Sequence, residues 1–92
     1  MSSEHADAQH STDESIAAFV SQLRKESTAG EIFFRDTVPG PGLMIDSVEV
    51  GYGGVQLRFR SGESKFVAVQ RIEPDSFYRK DGRSIVPDWM TA

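Results

Sequence analysis

The sequence predicts an α+β domain, mainly β, in which an N-terminal helix is followed by about six short antiparallel strands. Three observations support this class. One stretch in the first third carries apolar residues with a helical period, and the pattern changes to alternation after residue 30. Turn signals rich in Gly, Pro and Asp then recur about every 8–12 residues, a spacing typical of small β domains. The third observation is length, since 92 residues make one domain.

The helix is predicted from a start signal, an apolar stripe and a stop signal. Residues 1–11 are polar and without periodicity, which predicts a flexible tail and leaves residues 12–92 as the single domain. Ser11 and Glu14 fit a capping box that starts the helix, and Gly30 fits a left-handed cap that ends it. The apolar stripe between them consists of Ile16, Phe19, Val20 and Leu23.

The first two strands are predicted on either side of a rigid Pro-Gly break at residues 39–42. Residues 31–38 are rich in aromatic and β-branched side chains, as strands are. Residues 43–50 alternate imperfectly, because apolar side chains fall on both faces. A β-bulge near Asp46 and Ser47 would bring these side chains to one face.

The first hairpin, residues 55–72, is predicted to turn at Gly62. A glycine here fits a two-residue type II′ turn, which sets Arg60 directly opposite Lys65. Like charges directly opposite one another are unfavourable in a sheet. They would be explained if this face binds an anionic surface. The cations that the predicted register gathers on it are Arg58, Arg60, Lys65 and Arg71.

The second hairpin, residues 77–86, is predicted to turn at the Asp-Gly pair 81–82. That pair fits a type I′ turn and sets Lys80 opposite Arg83. The hairpin adds three basic candidates for the same binding role. They are Arg79, Lys80 and Arg83.

Short strands with a helix closing one end predict a small SH3-like or Sm-like barrel, or an open curved sheet. This is an analogy of architecture and carries no function with it. Trp89 and Met90 follow Pro87 and are predicted to fold back over one end of the core, because an indole ring buries a large area.

Composition bears on compartment and on membrane contact. The chain has no Cys, which removes disulfides and zinc–thiolate sites, and a small domain without disulfides is typical of the cytoplasm. No apolar run approaches the ~20 residues of a transmembrane helix. The N-terminal residues lack the cationic and apolar regions of a signal peptide. The sequence therefore predicts a cytoplasmic protein without membrane contact.

Catalytic chemistry has no specific signal. The only histidines, His5 and His10, fall in the predicted tail, so no histidine is available to a nucleophile inside the domain. Two histidines without a third ligand do not define a metal site. Acid pairs such as Glu73 with Asp75 are common on an acidic chain and specify no catalytic dyad. We therefore predict no catalytic residue, no metal and no cofactor.

The charge distribution leads to the functional prediction. Residues 1–50 carry a net charge of -6 and residues 51–92 one of +2, an asymmetry that fits either an anionic partner for the basic half or two halves that face each other in the fold. We predict a non-enzymatic protein-binding or regulatory module that contacts another protein, or a second copy of itself, through its sheet. The alternative is a nucleic-acid-binding β domain that uses the two basic hairpin tips, although a pI of about 5.0 argues against it. Long basic side chains are also ordinary occupants of a solvated sheet face.

Overall fold

The computed structural model describes residues 3–35 and 42–91, with side chains from residue 13 onward. Residues 39–41 of the predicted Pro-Gly break and the side chains of His5 and His10 lie outside this part. The predicted class is confirmed, because one long helix is followed by an antiparallel sheet. The elements are α1 (Ser3–Ala29), β1 (Ile32–Phe34), β2 (Leu43–Gly51), β3 (Gly54–Phe59), β4 (Ser64–Ala68) and β5 (Phe77–Arg79), with short 3₁₀ helices at Val69–Arg71 and Asp88–Met90.

The sheet has five strands in the order β4-β3-β2-β1-β5 and is not closed into a barrel. Of the two predicted forms, the described residues therefore adopt the open one. The predicted sixth strand is reduced to one bridge, between Tyr78 and Ser84. Pro87 follows closely and cannot donate to a ladder, which keeps this segment short.

Helix α1 begins earlier than predicted. Its backbone is helical from Ser3, so the predicted start at Ser11 is wrong. The reason is that no Gly or Pro occurs before Gly30, and residues such as Ala6 and Ala8 favour the helix. The end at Ala29 agrees with the prediction. Gly30 donates its N–H to the Glu26 carbonyl at 3.0 Å without taking a positive φ, so the left-handed cap is not formed.

The core lies between α1 and one face of the sheet. All four residues of the predicted helical stripe are buried, which confirms it: Ile16, Phe19, Val20 and Leu23. Phe77 on β5 packs edge-to-face on Phe19, with 5.3 Å between the ring centroids. The ring centroid of Phe34 on β1 also lies 5.3 Å from that of Phe77. The C-terminal prediction is also confirmed, because Trp89 packs on Phe19 at 5.4 Å and Met90 joins the same cluster.

The predicted bulge in β2 is confirmed at Asp46. Ile45 pairs with Phe59, but the next paired residue of β2 is Ser47, so one residue has no partner on β3. The extra residue lets Ile45 and Val48 both face the core despite their odd spacing, and both are buried.

The first hairpin turns where predicted but with a different loop. The Gly62 N–H donates to the Phe59 carbonyl at 2.8 Å, and the Phe59 N–H donates to the Glu63 carbonyl at 2.8 Å. Gly62 has φ +98, the conformation of the third residue in a three-residue loop with a bulge. Consequently Leu57 lies opposite Lys65, and the predicted pairing of Arg60 with Lys65 is wrong.

The second hairpin uses the same kind of loop. The Arg79 N–H donates to the Arg83 carbonyl at 2.8 Å, and the Gly82 N–H donates to the Arg79 carbonyl at 2.8 Å. Gly82 has φ +93, so it too closes a three-residue loop. Lys80 is therefore a loop residue and does not lie opposite Arg83, which corrects the predicted register.

Candidate binding site

The observed registers disperse the predicted basic face. Arg58 pairs with Ser64, whereas Lys65 pairs with the buried Leu57, so their side chains point to opposite faces of the sheet. Arg60 lies in the hairpin loop, and Arg71 lies in the 3₁₀ helix after β4. The four predicted cations thus do not form one surface.

Four of the seven predicted binding cations contact carboxylates of the same molecule. These pairs are Arg60 with Asp46 at 4.0 Å, Arg79 with Glu26 at 2.6 Å, Lys80 with Glu31 at 3.5 Å and Arg83 with Asp81 at 3.9 Å. Three of these pairs are largely exposed and contribute little to stability. Within the described ranges, Arg58, Lys65 and Arg71 have no carboxylate within 4.0 Å.

The Arg79–Glu26 pair joins β5 to the last turns of α1. Arg79 Nε and Nη2 donate to the two carboxylate oxygens of Glu26 at 2.8 and 2.6 Å, a bidentate geometry. The hydrogen bonds from Arg79 hold the pKa of Glu26 below its ordinary value of 4.5, although partial burial opposes them. Arg79 is therefore a structural residue of the helix–sheet contact and not a free binding cation.

A glutamine at position 26 tests this contact through pH. Because the folded-state pKa of Glu26 is lowered, its stabilising effect is present above the unfolded-state value and is lost as pH falls through the folded one. We expect the difference in unfolding free energy between wild type and Glu26→Gln to be constant near neutral pH and to shrink as pH falls below the ordinary pKa of 4.5. Urea titrations at several pH values measure it. Glu31→Gln is the control, because Lys80 reaches its carboxylate only at 3.5 Å from an exposed position, and its effect should be smaller.

A cleft of about 670 Å³ lies beside β4. Four consecutive residues, 65–68, line one wall of it. Side chains of consecutive strand residues point to opposite faces, so the strand meets the cleft with its backbone edge. The cleft volume falls within the range of about 300–1,000 Å³ that is usual for ligand pockets.

The hydrogen-bonding pattern shows which groups of β4 face the cleft. The Phe59 N–H donates to the Glu63 carbonyl, and the Val69 N–H donates to the Gly53 carbonyl at 3.0 Å. The odd-numbered residues from 63 to 69 are therefore the ones that exchange hydrogen bonds with β3. In an antiparallel ladder the intervening residues point their N–H and C=O away from the partner strand. The outward-facing residues of β4 are Ser64, Phe66 and Ala68. β4 is the terminal strand of the described sheet, so no further strand takes these groups.

The opposite wall of the cleft is a tight turn at residues 73–76. The Ser76 Oγ accepts a hydrogen bond from the Glu73 N–H at 2.8 Å, and Ser76 is buried although it is polar. The Ser76 carbonyl accepts the Arg35 N–H at 2.7 Å, which ties the turn to the end of β1. Both walls are therefore held by backbone hydrogen bonds.

The charges around the cleft have both signs. Lys65, Arg71 and Arg35 line it together with Glu73 and Asp75. The Arg35 guanidinium lies 4.9 Å from the centroid of the Tyr78 ring, a cation–π contact. In the part of the chain that the structure describes, Glu73 and Asp75 have no cation within 4.0 Å.

The ring of Phe66 lies on the outer face of the sheet across two glycines. A Cβ added to Gly51 would lie 2.7 Å from Phe66 Cε1, and one added to Gly54 would lie 2.8 Å from Phe66 Cζ. The glycines thus leave room for the ring, which remains 45% exposed. Phe66 therefore combines an apolar side chain on the outer face with backbone groups that have no partner strand in the described sheet.

The candidate site therefore differs from the predicted one. Of the seven predicted residues, the cleft includes Lys65 and Arg71. Sequence reasoning missed Arg35, Phe66 and the turn at residues 73–76, because these meet only through the curvature of the sheet. Apolar residues on both faces of a strand are typical of a central strand, and this pattern in β4 concealed that it lies at the edge of the described sheet.

Other chemistry finds little support among the described residues. They contain no group of three or more His, Cys, Asp or Glu side chains placed to hold a metal ion. No helix in the described ranges is long and apolar enough to cross a membrane. Comparison of the chain with protein-family models, with curated proteins and with solved structures finds no match.

Proposed function

We propose that the protein is a non-enzymatic protein-binding or regulatory module that pairs the open edge of β4 with an extended segment of another polypeptide chain. The observation that carries this proposal is the cleft along residues 65–68, which is faced by N–H and C=O groups that have no partner strand in the described part of the sheet. An added strand gains main-chain hydrogen bonds there, and alternate side chains supply specificity. Phe66 offers the apolar contact.

A polypeptide is the better occupant than a nucleic acid for two reasons. Four of the basic candidates contact carboxylates, so among the described residues that line the cleft the cations left for a phosphate backbone are Arg35, Lys65 and Arg71. Glu73 and Asp75 also line the cleft and would repel phosphates. A polypeptide strand instead needs backbone groups without a partner strand, and β4 supplies them at the edge of the sheet as far as it is described. The nucleic-acid alternative remains the second proposal, without an observation of its own.

The architecture suits this role. We propose that the fold is an open form of the SH3-like architecture, because β2 carries a bulge, which bends a strand, and the five described strands do not close into a barrel. An exposed strand edge is usually protected against pairing, for example by a bulge or a charged residue. β4 carries a single charge, Lys65, at its beginning. The cytoplasmic location is part of the same proposal.

Replacing Ala68 with proline tests the edge without disturbing the fold. Ala68 has φ -65 and ψ 146, which proline adopts, and its N–H points away from β3. We expect unfolding free energy to change by no more than about 1 kcal/mol. Peptides selected by the wild-type protein from a displayed library of random short peptides should bind Ala68→Pro about tenfold more weakly or worse, because a donor is lost and the ring blocks the edge.

The matched control is Ala68→Ser, which keeps the N–H and should bind the selected peptides like wild type. Fluorescence anisotropy of labelled peptides measures all three affinities, and circular dichroism checks the fold of both variants. Selected peptides that bind wild type and Ala68→Pro equally well would place the binding site elsewhere. A selection that yields no binder would reject the proposed function.

A further inference from the structure

We infer that the occupant of the cleft is a second copy of this chain, whose β4 pairs antiparallel with the first β4 about a two-fold axis at Phe66. This inference rests on the proposed function and names its partner. An interface of this kind is isologous, because each copy contributes the same strand.

The unpaired backbone groups select this register. In an antiparallel ladder, hydrogen bonds form only where outward-facing residues lie opposite one another. Centring the pair on Phe66 sets Phe66 opposite itself and Ser64 opposite Ala68, so every outward-facing residue of β4 is used. A register shifted toward the start of β4 sets Lys65 opposite Lys65, which is unfavourable. A register shifted the other way leaves Ser64 without a partner.

Side chains agree with the same register. The two Phe66 rings, each 45% exposed in one copy, become neighbours on the outer face of the joined sheet. Cross-strand aromatic pairs stabilise antiparallel ladders. The small side chains of Ser64 and Ala68 meet on either side of the rings and leave space for them.

Charge supports a second copy over an unrelated acidic or basic segment. In the chosen register Lys65 of one copy lies opposite Val67 of the other, and Val67 lines the same cleft as Glu73 and Asp75. Each copy therefore brings Lys65 into a cleft whose far wall carries two carboxylates without a cation within 4.0 Å in the described residues. Because the dimer has two-fold symmetry, this contact between Lys65 of one copy and the two carboxylates of the other occurs twice.

The other end of the sheet favours a closed dimer over a head-to-tail chain. The outer edge of β5 is covered by its own hairpin, since the Ile85 N–H donates to the Phe77 carbonyl at 2.7 Å and Arg79 bonds to Arg83. β4 of one copy thus finds no free β5 edge on another copy. Among the described strands, β4 is left to pair with itself.

Sedimentation equilibrium over a range of protein concentrations tests the inference. The mass should rise from 10.2 kDa toward twice that value as concentration increases. Ala68→Pro removes a donor from each copy and should raise the dissociation constant about tenfold or more, whereas Ala68→Ser should leave it unchanged. Lys65→Glu should also weaken the dimer. Combining it with Glu73→Lys and Asp75→Lys should restore association, because each attraction is re-formed with signs exchanged.

Two outcomes would overturn the inference. One is a wild-type protein that remains at 10.2 kDa up to about 1 mM, the limit of weak association. The other is a dimer whose dissociation constant is the same for Ala68→Pro as for wild type. If the protein is monomeric but selected peptides still discriminate against Ala68→Pro, only this inference fails and the peptide-binding function stands.

Discussion

Replacing Phe77 with alanine is expected to lower the free energy of unfolding by about 3–5 kcal/mol. Phe77 is fully buried and joins the layers of the molecule, because its ring contacts Phe19 of α1 and Phe34 of β1, each at 5.3 Å between centroids. Truncation removes both aromatic contacts and leaves a cavity that a rigid sheet cannot fill. Urea unfolding followed by circular dichroism measures the loss.

Phe66→Ala is the matched control for this prediction. It removes the same ring from the outer face, where Phe66 is 45% exposed, so the loss should stay below about 1.5 kcal/mol. The comparison is made at low protein concentration to keep association out of the measurement. Equal losses at the two positions would mean that Phe77 does not hold the core as the structure indicates.

The positions of the elements could be predicted because they follow from local patterns. The helical stripe ends in Leu23, and its spacing alone identified a buried face. The bulge at Asp46 followed from apolar residues with odd spacing along one strand, since no regular strand buries both Ile45 and Val48. Turn glycines marked where each hairpin reverses, and both chain reversals occur there.

The register could not be predicted, because the same glycine fits loops of different length. With Gly62 first in a two-residue turn, Arg60 lies opposite Lys65, whereas with Gly62 last in a three-residue loop, Leu57 does. An odd change in register moves side chains to the other face, so the small difference dispersed the predicted basic surface. The local sequence does not distinguish these loops. The burial of Val67 opposite Val55 favours the observed one.

The start of the helix was missed for a related reason. Ser11 and Glu14 have the spacing of a capping box. Such a motif marks the first turn of a helix only if the residues before it are not helical. The residues before Ser11 contain no Gly or Pro, so the helical backbone continues to Ser3. The polar composition of residues 1–11 led to the prediction of a tail. Polar composition indicates that a segment is not buried, but it does not indicate whether the backbone is helical.

Replacing Gly54 with alanine is expected to cost about 3 kcal/mol of unfolding free energy, at the upper end of overpacking effects. An added Cβ would overlap the carbonyl oxygen of Val67 and lie 2.9 Å from the Cα of Ala68. Both atoms belong to the backbone of β4, which cannot move away without breaking its ladder with β3. Phe66 would be displaced as well, since its ring lies over the same glycine.

Gly30→Ala separates this steric effect from the general effect of replacing a glycine. Gly30 has no atom within 4 Å of an added Cβ and no positive φ, so alanine should be neutral or should stabilise the protein by up to about 1 kcal/mol. Thermal and urea unfolding of both variants give the comparison. If Gly54→Ala unfolds like Gly30→Ala, then β3 and β4 are not as closely packed at this position as described. The edge of β4 would then be too loosely held to present its outward-facing groups in a fixed register.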